Sequence, residues 1–413
     1  MNRLLAWALA LACTASIWAE DWPRWRGPRD NGSAAAGDYP DKPAESILWK
    51  TPLPGKGCST PIVWQRQIFL TAPVDGQDAV LAFDWAGKKL WHRIVGVEVA
   101  GKHQNGSGCN PSLATDGRHL FAAFKSGTLA ALSMDGTLVW KLNVRERFGR
   151  DTLYWDAGTS PCTTRTHVVM AIMHEGESGL AAFDKQTGAL AWRTPRQYKV
   201  PRENDHGYTT PIVVTRQGRE EILTWGAEHL TAHQAEDGKL LWECGGFNPS
   251  RKANWVAVGS GVVWEETAIV SHGRGSILAG VKLGGKGDVT ESHRTWTRTD
   301  TGAFVPTPAA SEGRVYLVRD RGEVVCVDAR NGKTLWEGRL PEDRNSYYSS
   351  PVLAGGKLYA AREDGVLFVA RCRDKLELIS ENRMGERVVA APVPVEGRLL
   401  VRGEKHLVAA GAR

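Results

Sequence analysis

Apolar and polar positions alternate in short runs along most of the chain, and the alternation recurs in register with one string. LAFDWAGKKLW (81–91), ALSMDGTLVW (131–140), LAAFDKQTGALAW (180–192), LTAHQAEDGKLLW (230–242) and VVCVDARNGKTLW (324–336) are copies of it. Each copy predicts a strand, a tight turn closed by Gly, and a second strand ending on Trp. A second element precedes each copy: CSTPIV (58–63), CNPSLATDG (109–117), GTSPCTT (158–164), GYTTPIVV (207–214), FVPTPAASEG (304–313), YYSSPVLAGG (347–356) and VVAAPVPVEG (388–397). With the strand between them, such as RVYLVRD (314–320), each unit has four strands, which is the pattern of a propeller blade.

Terminal Trp residues at 49, 91, 140, 192, 242, 296 and 336 mark the units. A seventh blade degenerates to LELIS (376–380), and the last, from Val388 to Leu407, has three strands. ILWK (47–50) lies outside the regular units and predicts the missing outer strand. The expected fold is therefore an all-β, eight-bladed propeller over 46–413, closed by its N-terminal strand so that no sheet edge is left at the join. Residues 20–45 are expected to pack on it as an extension, with Arg24 or Arg26 in cation–π contact inside DWPRWRGP.

Composition agrees: 45 Gly, 20 Pro and 17 Trp in a chain 42% apolar favour many short strands and disfavour disorder or a helical bundle. Asn2-Arg3, the apolar run Leu4 to Ile17 and the context before Glu20 predict a cleaved export signal over 1–19. The mature protein is then periplasmic or secreted, with a lipid anchor at Cys13 as the alternative. Without Arg3 the balance is 51 basic to 46 acidic groups, interspersed, which argues against a nucleic-acid partner. No later run is long enough for a transmembrane span.

Cys58, Cys109, Cys162, Cys244, Cys326 and Cys372 are far apart and form no CxxC or CxxCH, excluding zinc ribbons and covalent haem. Their even number permits up to three disulfides, and small buried thiols are the other reading. No GxSxG elbow occurs. GRGSI (273–277) and GGKG (284–287) lack the strand–helix setting of a phosphate loop and are expected to be turns.

With DARNGKTLW (328–336) and FDKQTGALAW (183–192) as the closest copies of a Gly-x-x-x-Trp docking motif, the chain resembles the quinoprotein-type propellers. Within them it is similar to the PQQ-binding-like repeat proteins related to the barrel-assembly lipoprotein BamB, in the exported version common in planctomycete-type bacteria. DWPRWRGPRDNG (21–32) and GGKGDVTESHRTW (284–296) carry that likeness. The resemblance implies a non-catalytic scaffold, a monomer with no cofactor, binding a protein partner or a small polar ligand. The alternative it leaves is an alcohol or sugar dehydrogenase using PQQ with Ca²⁺. In the large dehydrogenases the quinone is held by a Trp and a disulfide of adjacent cysteines, which this chain lacks.

Function on a rigid propeller is expected in the loops that join one blade to the next. The longest polar ones, 96–108, 143–158, 193–207 and 243–255, supply His103, Gln104, Asn105, Tyr154, Trp155, Asp156, Asn204, Asp205, His206, Tyr208, Asn254 and Trp255, to which Arg274 and Tyr347 are added. Each has a bland reading as a turn cap or a satisfied hydrogen-bonder. A metal site would require His103, Asp156 and His206 to converge.

Overall fold

The computed structural model describes residues 20–411. The expected export signal and Cys13 lie outside the described residues. Eight antiparallel sheets follow one another at 62–97, 114–143, 162–195, 212–244, 262–298, 309–339, 352–383 and 393–411, hereafter blades one to eight. The eighth takes its outer strand from Ile47–Pro52, which pairs with the C-terminal strand from Ile47 opposite Ala410 to Pro52 opposite His406. Strand centres are buried between neighbouring blades, so the core is a ring of inter-blade layers.

The Trp signature joins blades. The indole N–H of Trp140 donates to Lys185 O (2.9 Å), of Trp192 to Ala235 O (3.2 Å), of Trp296 to Ala329 O (3.3 Å) and of Trp336 to Arg373 O (3.0 Å). Each acceptor belongs to the outer turn of the following blade, and at Trp140, Trp192 and Trp296 the motif's Gly makes room for the ring. A Cβ on Gly188, at φ +70°, would stand 2.6 Å from Trp140. Left-handed backbone and close approach both require Gly there. Trp49 makes the same bond to Trp85 O across the closure.

Trp242 departs from the pattern. The outer turn of blade five is replaced by an insertion whose Gly287–Asp288 adds a parallel fifth strand to blade four. The buried Trp242 indole N–H is left without an acceptor among the described residues.

The small-residue element before each inner strand becomes a belt of hydrogen bonds around the central channel. Backbone N–H groups of Thr60, Ser112, Ser160, Thr210, Ser260 and Thr307 donate in turn to the hydroxyls of Ser112, Ser160, Thr210, Ser260, Thr307 and Ser350, at 2.8–3.0 Å. Ala391 N–H donates to Thr60 Oγ1 (3.2 Å), which leaves one gap in the belt, between blades seven and eight. Only Ala391 brings no hydroxyl. Ser350→Ala strands the buried Thr307 amide and should lower the unfolding free energy by about 1–2 kcal/mol. A shift of the urea midpoint at constant slope is the readout.

Residues 20–34 cross the channel on the side of the inner-strand ends. Trp22, 1% exposed, bridges to Val63, and Ser33 bridges to Leu353. Thr115 N–H donates to Pro23 O and Ala310 N–H to Asn31 O (both 2.9 Å). The segment thereby ties blades one, two, six and seven. Arg26 lies 5.8 Å from the Trp25 ring, the predicted cation–π contact, whereas Arg24 pairs with Asp30 (3.1 Å). All six cysteines of the described chain are free thiols, five of them buried. No helix among the described residues is long and apolar enough to cross a membrane.

Candidate functional site

The inter-blade connections gather on the face opposite the N-terminal segment. Loop 98–108, between blades one and two, leans inward and is fixed at both flanks. On one flank Asn105 Nδ2 donates to Glu363 Oε2 (2.7 Å), and Arg387 donates both to that oxygen (2.7 Å) and to Asn105 Oδ1. Glu363 Oε1 accepts the Ser346 amide (2.9 Å), so this carboxylate is fully engaged. Lys56 donates to Gln104 O.

On the other flank the loop rests on Asp156, whose two carboxylate oxygens each accept the Lys102 amide at 2.9 Å. Lys125 Nζ lies 2.6 Å from Asp156 Oδ1, and both side chains are 4% exposed. Lys102 Nζ reaches the Leu153 carbonyl (2.8 Å). Gly106 passes so close that a Cβ there would meet Asp156 Oδ2 at 2.1 Å.

This buried base carries an aromatic ledge. Tyr154 is 61% and Trp155 46% exposed, their rings 5.0 Å apart and edge-on. His103 meets the Trp155 edge at 5.6 Å. The Trp155 amide donates to Tyr208 OH (3.0 Å), and Tyr208 packs with Leu153 and Val256 in a small apolar cluster beneath. Beside the ledge, a cleft between blades two and three is lined by Leu153, Met173, His174 and the Arg145–Asp151 ion pair (2.7 Å). Burial holds the His174 imidazole below its usual pKa, so it faces the cleft neutral near pH 7.

A second group lies between blades three and five. Asn204 is fully buried; its amide donates to Glu228 Oε1 (2.5 Å) and Lys252 O (2.8 Å), and its oxygen accepts the Trp255 amide (2.7 Å). Asn254 sits in the left-handed region at φ +61°, a conformation Asn tolerates. Arg274 stacks 4.4 Å from the Phe304 ring and donates to Asn254 O (3.3 Å). Trp255 and Trp225 each present an edge to the buried His272 at 5.4 Å.

The fourteen predicted residues therefore divide. His103, Gln104, Tyr154 and Trp155 stand together and exposed, with Asn105 half-buried beneath them. Asn254 and Arg274 form a separate exposed pair, with Trp255 half-buried beside them. Asp156, Asn204, His206, Tyr208 and Tyr347 are buried supports; Tyr347 is wholly enclosed, its hydroxyl donating to Pro341 O (2.8 Å). Asp205 is half-buried, with no side-chain contact that joins it to either group. His103, Asp156 and His206 do not converge on a metal site, because the Asp156 carboxylate is spent on Lys102 and Lys125. Among the described residues no three His, Cys, Asp or Glu side chains come together as ligands. Sequence reasoning missed Lys102, Lys125, Glu363 and Arg387; a lone Lys125 inside the apolar run FAAFKSG was the available signal.

An eight-bladed ring of four-stranded units docked by Trp, with its long loops on one face, defines a propeller of the PQQ-like repeat class. The family described as outer membrane protein assembly factor BamB matches residues 40–153, 77–338 and 292–378, and the chain belongs to that family. It is similar to BamB of Yersinia pestis, 21% identical over 361 residues, 85% of this chain and 83% of the relative. The match to Marinobacter adhaerens BamB is 31% identical but spans 23% of either chain, and that to the Alkalilimnicola ehrlichii protein spans 50% of the relative. Among solved structures, BamB of Moraxella catarrhalis superposes with a TM-score of 0.64 at 16% identity, over 88% of this chain and 99% of that one. Quinohemoprotein alcohol dehydrogenase of Comamonas testosteroni gives 0.71 at 13% identity, over 95% and 81%. Both likenesses concern the fold.

Proposed function

We propose that this chain is a non-catalytic, exported, monomeric scaffold of the cell envelope that holds a protein partner against the Tyr154–Trp155 ledge. One observation carries the reading: two large aromatic side chains stand exposed on a base made rigid by buried polar contacts. Aromatic rings held in place offer large contact area at little cost in side-chain entropy, which is the usual character of interface hot spots. The adjoining cleft gives an apolar side chain of the partner somewhere to enter. Relatives that bear the name of an outer membrane protein assembly factor support a protein partner in that setting.

Affinity recovery from envelope fractions tests it. Trp155→Ala is expected to reduce recovery of the partner at least tenfold, as hot-spot truncations do, while leaving the thermal midpoint unchanged. Equal recovery with Trp155→Ala and with a Tyr154→Ala/Trp155→Ala double variant would remove the ledge from the interface.

The quinone-dependent reading has less to support it. The six thiols are single, and the Glu363 and Asp156 carboxylates of the loop face are engaged by Arg387, Lys102 and Lys125. Titration with the quinone and Ca²⁺, followed by a dye-linked alcohol assay, is expected to give no turnover.

A further inference from the structure

The centre of the channel has more hydrogen-bond donors than acceptors. Arg26 is 3% exposed, and its Nη2 donates to Pro308 O (3.0 Å) and Pro351 O (2.8 Å) on blades six and seven. Its Nε and Nη1 have no acceptor among the described residues, and neither has Arg24 Nε. Arg24 and Arg26 line a small cavity together with Ser160, Thr210 and Ser260 of blades three to five.

Those hydroxyls belong to the belt. Each oxygen accepts an amide from the preceding blade, so its own hydrogen is free to donate, and it finds no acceptor among the described residues. Charge is unbalanced in the same sense. Asp30, the carboxylate bordering the cavity, is held by Arg24 at 3.1 Å, leaving two guanidiniums against one acid. A buried cation without compensation is costly, and burial pushes the Arg26 guanidinium down to about 9.

We propose that this cavity is a binding site for one monovalent anion of halide size, held by Arg26 and the hydroxyls of Ser160, Thr210 and Ser260. A water would accept some of these donors, but it brings two protons that have no acceptor and leaves the positive charge in place. A halide accepts from every side and cancels the charge. The cavity, about 10 Å³, has room for a single small species. Because Arg26 belongs to the N-terminal segment and the hydroxyls to three blades, the ion joins that segment to the half of the ring its other bonds leave untied. The site is independent of the ledge and of any partner.

Crystals of the chain grown in sodium bromide give the direct test. One anomalous peak is expected in the channel within hydrogen-bond reach of Arg26 Nε or Nη1. In solution, the thermal midpoint should rise with the logarithm of chloride or bromide concentration, measured against sodium gluconate at equal ionic strength. Arg26→Met should abolish that difference. Should the variant fail to fold, the wild-type bromide map and the halide-to-gluconate comparison still decide. A channel without an anomalous peak, together with equal midpoints in halide and gluconate, overturns the proposal.

Discussion

Asp156→Ala will lower the unfolding free energy by roughly 3–5 kcal/mol, because it leaves the Lys125 ammonium buried without its counter-ion. The ion pair is 2.6 Å long with both side chains 4% exposed, so water cannot take over the lost contact without opening the loop face. The same substitution removes both acceptors of the Lys102 amide and frees loop 98–108 from its support. Replacing both partners, Lys125→Met with Asp156→Leu, should recover most of the stability while the loop stays loosened. Chemical denaturation of the two variants separates the terms. A loss under 1 kcal/mol for Asp156→Ala would mean the pair is solvated and the base beneath the ledge is not rigid.

Acid will destabilise the protein through two buried histidines before most of its carboxylates are protonated. His233 and His272 are 1% and 3% exposed, and burial pushes both imidazoles down to about 4. The unfolded chain binds these protons near pH 6.5. Below that pH the unfolded state takes up more protons than the folded one. Their stability contribution is complete above pH 6.5 and is lost as pH falls towards 4, roughly 2 kcal/mol each by pH 5. His233 keeps a carbonyl and a hydroxyl within hydrogen-bond reach, whereas neither nitrogen of His272 has a partner among the described residues. Asp78 works the other way: burial raises its carboxyl to about 6, so acidification relieves it. His272→Phe should reduce proton uptake on unfolding between pH 5 and 6 by about one. An unchanged slope of unfolding free energy against pH would show that His272 is solvated.

The predicted fold is the one observed because its determinants are local and repeated. A Gly in the outer turn and a Trp at the strand end of the preceding blade meet at five junctions, so the sequence spacing of Gly188 and Trp140 is a contact read twice. Trp49 outside the regular units marked the closure for the same reason. Where the repeat is interrupted the reading stopped: GGKG was expected to be a turn, and nothing in 284–293 foretold a parallel strand on blade four or an unpartnered Trp242.

The loop face was legible by residue type and illegible by role. Tyr154 and Trp155 are conspicuous in a polar segment and do stand exposed. Asn204 and Asn254 look alike in the chain, yet one is buried with both ends of its amide satisfied and the other stands exposed in the left-handed region. Asn105 is held by groups 258 and 282 residues away, a separation that no spacing rule spans. Lys125 looks like a surface charge until Asp156 is placed over it.

The strand Ile47–Pro52 has a consequence for how the molecule comes into being. Its partner, from His406 to Ala410, follows the other seven blades in the chain, so those blades can be complete while the ring is still an open arc. Closure is thus the most non-local event in the fold and belongs late on the folding path. Until it happens, two unpaired edges face solvent, and an arc from one molecule can pair with the end of another as readily as with its own. The seam is where a copy-to-copy exchange would begin, and holding the arc nearly closed is a service the N-terminal segment renders by binding blades one and seven at once.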